Sequence, residues 1–348
     1  MSGNFSSDNV TPACDAVMAA VIAANSGLMS SYGADEVSAR LTSKAGEVFE
    51  KEVVIFPVTT GTAANALALA QFAPPHGAVY CYEAAHIVTD ECGAPEFFTG
   101  GAKLIGLPSA TGKITPRQVE RALAFADEMG VHHVKPAAIS LTQATEWGTV
   151  YSLAEISAMS ALAKLRGLPL HMDGARFANA LVHLKCSPAE ATWKAGIDVL
   201  SLGATKNGAL AAEAVVFFDA ALAADFDRRR KRAGHLWSKF RFLSAQLLAY
   251  LDHDVWLVNA RHANQMAERL GQGLATLPAV KLLHPVDANE VFVEMAEAQV
   301  AALETQFKFY RWPLHVSDEG VAIRLVTSYA TPAADVDAFI AAAQRSSG

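Results

Sequence analysis

Four cysteines in 348 residues are too few for a disulfide-stapled fold, and Cys14, Cys81, Cys92 and Cys186 lie scattered without a CxxC pair. No histidine stands at zinc-finger spacing from them, so neither a structural zinc nor another metal site is expected. Charge is scarce too: Asp, Glu, Lys and Arg make up 18% of the chain, against roughly 25% in globular proteins. The 28 basic and 35 acidic residues leave a net charge of −7 and a pI near 5.9, which speaks against a dedicated nucleic-acid or membrane-surface binder. Long apolar runs are missing. The stretch 16–24 is typical, far short of the ~18 residues a membrane span needs. The opening segment MSGNFSSDNVT has no basic or apolar leader region, so no secretory signal is expected and the cytoplasm is the expected location.

What the chain has in excess is apolar surface. It is 52% hydrophobic with mean hydropathy +0.21, which implies a large buried core and leaves room for a subunit interface. A length of 348 residues suggests about two domains. Short runs rich in Val and Ile at 53–58, 78–82, 137–141, 168–172, 199–202 and 214–218 predict strands. Most are nearly continuous rather than alternating, as strands buried on both faces are. Helical stretches at 63–71, 116–129, 153–165 and 175–184 lie between them. The alternation predicts an α/β fold, a mostly parallel sheet flanked by helices. Thr115 and Pro116 read as an N-cap and a first helical proline, and Gly167 as a helix stop. Residues 225–260 predict one long helical region, whose basic run 228–232 reads best as a solvated face. Strands at 282–283, 291–295 and 321–327, with helices at 299–307 and 333–343, predict a smaller α+β domain. The expected division is 1–255, with an N-terminal arm, and 256–348.

Four local features carry chemistry. Lys206 follows an apolar strand and is flanked by small residues from Ser201 to Gly208. Alone it could be a surface lysine. Small neighbours, however, let a planar ligand approach, and a desolvated lysine is suited to Schiff-base formation. Asp173, at the carboxyl end of a strand, could be a plain helix cap or the carboxylate that keeps a pyridinium nitrogen protonated. The segment Thr59 to Asn65 opens a helix with Gly61 and Thr62, a possible phosphate cradle. His86 stands just past another strand, where it could stack on a ring. Together, in chain order at successive strand ends, these make the layout of a fold-type I pyridoxal phosphate enzyme.

On these residues the chain resembles the L-threonine aldolases, within the aspartate aminotransferase superfamily, over essentially its whole length. The opening Phe5 to Thr11 resembles the family's N-terminal signature, and Tyr32, Gly33, Asp35, Gly61, Thr62, His86, Asp173 to Arg176, Thr205 and Lys206 follow in family order. The segment Ile323 to Thr327 matches its late arginine motif. The resemblance implies pyridoxal 5'-phosphate carried on Lys206, paired with Asp173, stacked by His86 and held through its phosphate by Gly61 and Thr62. It implies that Ser7, Arg176 and Arg324 bind the substrate carboxylate or the cofactor's phenolic oxygen. Tyr32 would reach the site, often from a neighbouring subunit of a homodimer or homotetramer with active sites at the interface.

The chain departs from the family at Thr142 to Glu146, where many members carry a histidine that contacts the substrate hydroxyl. His132 or His133 could substitute, although a surface histidine pair is the plainer reading. The implied reaction is retro-aldol cleavage of a β-hydroxy-α-amino acid to glycine and an aldehyde, with His86, His133 or a water as base. Another lyase or racemase reaction on the same scaffold is the alternative, and a non-catalytic ligand-binding homologue is a further one.

Overall fold

The computed structural model describes residues 3–314, 316–317 and 320–346. Its larger sheet has seven strands: β1 (Val54–Val58), β2 (Gly77–Tyr82), β3 (Lys103–Leu107), β4 (Lys135–Thr142), β5 (Leu170–Gly174), β6 (Val199–Leu202) and β7 (Glu213–Phe217). Their spatial order is β1-β7-β6-β5-β4-β2-β3. β6, β5, β4, β2 and β3 run parallel, and β7 is antiparallel to both of its neighbours. The mostly parallel sheet expected from the sequence is therefore present.

Burial on both faces explains the continuous apolar runs. Along β7, Val215 and Phe217 pack with Phe56, Leu67 and Phe226 on the side of helix Gly61–Phe72. Ala214 and Val216 join the other layer, with Leu41, Leu243 and Leu247. The period of two thus distributes side chains between two apolar layers rather than between core and water. Helices begin where capping chemistry places them. Thr115 and Gln118 form a reciprocal capping box ahead of Pro116, and Ser152 and Glu155 form another.

The region 225–260 is not one helix. It divides into Phe226–Arg232, Arg241–Leu251 and Val255–Ala275, with Gly234, His253 and Asp254 at positive φ in the breaks. Helices Asp15–Ala24 and Glu36–Val48, and edge strand β3, add to the elements expected.

The second sheet is antiparallel, β10-β11-β9-β8, from β8 (Lys281–Leu282), β9 (Glu290–Ala296), β10 (Tyr310–Arg311) and β11 (Gly320–Val326). Helices Glu297–Glu304 and Ala333–Arg345 complete the smaller unit. Helix Val255–Ala275 serves both cores: Trp256 and Ala260 lie in the large one, Ala267, Leu270 and Leu274 in the small one. The N-terminal arm leaves the large unit. Phe5 is fully buried in the small core, and its backbone bonds to Lys308 and Val326. The arm therefore brings residues 6–9 to the seam between the two units.

Candidate active site

A cavity of about 430 Å³ opens at the carboxyl ends of the parallel strands, where open α/β sheets bind ligands. Lys206, Asp173, His86, Gly61, Thr62 and Arg176 all line it. A second cleft of about 650 Å³ runs on toward the small unit. It shares His86, Glu146, Arg176 and Lys206 with the first, and adds Ser7, Trp312 and Arg324.

Lys206 sits in the single helical turn Thr205–Asn207 directly after β6. Its neighbours are fastened on every side. Glu213 Oε2 accepts the Ala204 N–H at 2.7 Å, and Asn207 Nδ2 donates to the Tyr250 hydroxyl and the Trp256 carbonyl at 2.9 and 2.8 Å. The small residues have a steric purpose: a Cβ on Gly203 would collide with the backbone of Ala175. Lys206 itself makes no hydrogen bond or ion pair among the described residues. The turn is rigid and its amine is free.

Asp173 is 3% exposed at the end of β5. Its Oδ1 accepts the Ala175 N–H at 3.0 Å, and its Oδ2 accepts Asn65 Nδ2 at 2.8 Å. The same Asn65 nitrogen donates to Glu91 Oε1 at 2.8 Å, and His86 Nδ1 lies 2.9 Å from that oxygen. The hydrogen bond to Glu91 raises the His86 pKa. Burial raises Glu91. The ring is thus held by an anchored carboxylate at the cavity wall.

On another part of the cavity wall, Thr60 caps helix Gly61–Phe72 by accepting the Ala63 N–H at 3.1 Å. The Ala64 N–H goes to the Thr60 carbonyl, while those of Gly61 and Thr62 belong to the first turn, which has no intrahelical acceptors. Nothing lies within 4 Å of where a Cβ on Gly61 would stand. The cavity therefore brings together an anion cradle, a buried carboxylate and an unpartnered lysine. That donor set fits pyridoxal phosphate: a phosphate, a protonatable ring nitrogen and a carbonyl carbon.

The substrate side is built from alternating charges. Arg176 grips Asp8 in bidentate fashion at 2.8 and 3.1 Å, and its Nη1 stands 3.3 Å from Glu290. Burial pushes the Asp8 carboxyl up, but Arg176 and Lys206 outweigh it and hold it below the usual range. Arg324 is freer. It stacks 4.5 Å from the Trp312 ring, stands 3.8 Å from Glu290, and keeps a buried Nε with no partner.

Two expected residues lie elsewhere. His133 sits before the amino end of β4, while the cavity opens at Thr142, the other end of that strand. Nine residues at ~3.3 Å each put it roughly 25–30 Å away, with its ring against Phe125. His133 therefore does not line the cavity of its own chain. Tyr32 lies in a separate cleft under Lys231, 49% exposed, and does not line the cavity of its own chain. Ser7 lies at the rim, capping the Asp8–Val10 turn.

Sequence reasoning missed four carboxylates around the cavity: Glu91, Glu213 and Glu290, which are buried, and Glu146, which is half-buried with its Oε2 enclosed. Glu146, Glu213 and Glu290 signal only a position near a strand end or in a strand, which many surface glutamates share, and Glu91 lies in a loop after the short helix His86–Thr89.

A family model described as beta-eliminating lyase matches residues 4–298. The chain is 47% identical, over 89% of both sequences, to a low specificity L-threonine aldolase of a Pseudomonas species. It is also 47% identical, over 88% of both, to a low specificity L-threonine aldolase of Pseudomonas aeruginosa. A solved structure of Leishmania major threonine aldolase superposes with a TM-score of 0.93 at 27% identity, covering 99% of each chain.

Proposed function

The chain belongs to the beta-eliminating lyase family, among relatives named low specificity L-threonine aldolases, and from that premise we propose that it is itself such an aldolase. It cleaves L-threonine, L-allo-threonine and related β-hydroxy-α-amino acids to glycine and an aldehyde. The observation that carries this reading is the meeting of a free Lys206 amine, the buried Asp173 carboxylate and the open N–H cradle of Gly61 and Thr62 in one cavity. Bound there, pyridoxal 5'-phosphate supplies the electron sink that accepts the electron pair left on the substrate's α-carbon.

The chain's own residues do the rest. Lys206 would hold the cofactor through Nζ, Asp173 would keep its ring nitrogen protonated, and Gly61 and Thr62 would bind its phosphate. His86, braced by Glu91, would stack on its ring. Arg324 takes the substrate carboxylate, because its Nε is unpaired and its guanidinium is already oriented by Trp312. Arg176, committed to Asp8, fixes the arm that carries Ser7 to the rim. With the amine joined to the cofactor and the carboxylate on Arg324, the orientation of the α-carbon would select which of its bonds breaks.

No described helix is long and apolar enough to cross a membrane. The four cysteines are all unpaired, which fits a reducing compartment, the cytoplasm. We propose a homo-oligomer, a dimer or tetramer, because the apolar Met18, Ile22, Leu28 and Met29, just ahead of Tyr32 in the chain, are exposed, Leu28 fully so. Tyr32 would then serve the neighbouring cavity.

The test is direct. Purified protein is expected to be yellow and to release acetaldehyde from L-threonine, and Lys206→Ala to lose both. A colourless preparation that is equally active contradicts the assignment.

A further inference from the structure

Glu146 lines both the cofactor cavity and the cleft beyond it. It stands four residues past the end of β4, and its Oε1 is fully used. That oxygen accepts the His86 backbone N–H at 3.0 Å and the Thr142 hydroxyl at 2.8 Å. The other oxygen, Oε2, is buried and has no partner. Leaving a carboxylate oxygen unmatched away from water is costly, so a native site that does so invites a ligand group to fill it.

Resting on the retro-aldol reading above, we infer that Glu146 is the catalytic residue that takes the proton of the substrate's β-hydroxyl on its free Oε2. His86 and Thr142 hold the carboxylate in place, and neither competes for Oε2. Cα–Cβ cleavage needs the hydroxyl O–H broken as the C=O of the aldehyde forms. The O–H pair becomes the new C=O bond, and the Cα–Cβ pair stays on the α-carbon. The net change moves one proton from the β-oxygen to the α-carbon, so threonine balances against glycine plus acetaldehyde with no other reactant. Glu146 occupies the segment in which the chain lacks the family's histidine, and the cavity's own histidine is tied through Nδ1 to Glu91.

Burial pushes the Glu146 carboxyl up to about 7, against the pull of its hydrogen bonds from the backbone, His86 and Thr142. The charged or titratable groups facing it are Asp173 from β5, Cys81 and Tyr82 from β2, Tyr151, and His86 with its partner Glu91. Lys206 and Arg176 face it across the cavity. A base must be ionised to act, so kcat for cleavage is expected to rise with pH through about 7.

Glu146→Gln keeps an acceptor for His86 and Thr142 and removes only the basic oxygen. Two readouts on the holoenzymes separate chemistry from structure: acetaldehyde release from L-threonine, and exchange of the glycine α-proton with D2O followed by NMR. Glycine has no β-hydroxyl, so its exchange does not need this base. Glu146→Gln should lower kcat for cleavage ~100-fold or more, abolish the rise near neutral pH and leave KM within about twofold. Glycine exchange should persist, and Glu146→Asp should recover part of the cleavage rate. Undiminished cleavage in Glu146→Gln overturns the proposal. Equal loss of cleavage and exchange also overturns it, by showing a structural role. If Glu146→Gln does not fold, Glu146→Asp decides: its cleavage must fall below that of the wild type while its glycine exchange stays at the wild-type rate. A wild type that neither cleaves threonine nor exchanges glycine refutes the aldolase reading instead.

Discussion

At Arg324, one side chain has the features that the proposed carboxylate site calls for. Burial alone lowers its pKa, and the nearby Glu290 carboxylate offsets part of that loss. Its guanidinium is stacked on Trp312 and leaves Nε buried and unpaired. Substituting Arg324→Ala should therefore raise the KM for threonine and the Kd for glycine roughly tenfold to hundredfold, as the loss of a charged hydrogen bond does. Cofactor binding should be unchanged, since Arg324 lines only the outer cleft. Titration of glycine into the variant checks this, and unchanged affinity would remove Arg324 from the carboxylate site. At this scale the sequence is informative where chemistry is position-specific. Lys206, Asp173, His86 and Gly61 are readable because each follows a strand and bears a rare combination of neighbours. The buried glutamates are not, because burial of a carboxylate is decided by elements far apart in sequence. Glu91 meets Asn65, and Glu290 meets Arg176, only after the chain has folded.

Among the elements, helix Val255–Ala275 and the N-terminal arm join the two units. The arm enters the small core through Phe5, whose ring lies 5.3 Å from Phe339, which also packs on Phe307 and Phe309 at 5.0 and 5.9 Å. Phe339→Ala should cost ~3–5 kcal/mol, the usual effect of removing a fully buried ring. Because residues 6–9 follow Phe5 into the seam, the variant should also lose grip on substrate before it loses cofactor. Thermal unfolding and glycine titration together check it; an unshifted melting temperature would contradict this packing. The strands of the large sheet were legible because double burial leaves an unmistakable apolar run. The break at His253 and Asp254 was not, since positive φ at a non-glycine residue is imposed by packing around the turn. Edge strand β3 was missed for a related reason: Lys103 and Gly106 interrupt its apolar pattern, as exposure at a sheet edge permits.

For the whole molecule, the excess of apolar residues has two destinations. One is the doubly covered sheet, and the other is the exposed surface around Ile22 and Leu28. Light scattering should give a mass of at least two chains, and a monomer at micromolar concentration would contradict the assembly. The acidic net charge says nothing about the site, because Lys206, Arg176 and Arg324 gather locally in a protein that is negative overall. The family description names β-elimination, whereas relatives 47% identical to this chain are named aldolases. The two chemistries differ in the bond that breaks and hence in what is released. The decisive measurement is therefore the product made from L-threonine by the purified holoenzyme. Retro-aldol cleavage predicts acetaldehyde and glycine in equal amounts, with no ammonia. Ammonia and 2-oxobutanoate without acetaldehyde would contradict the account.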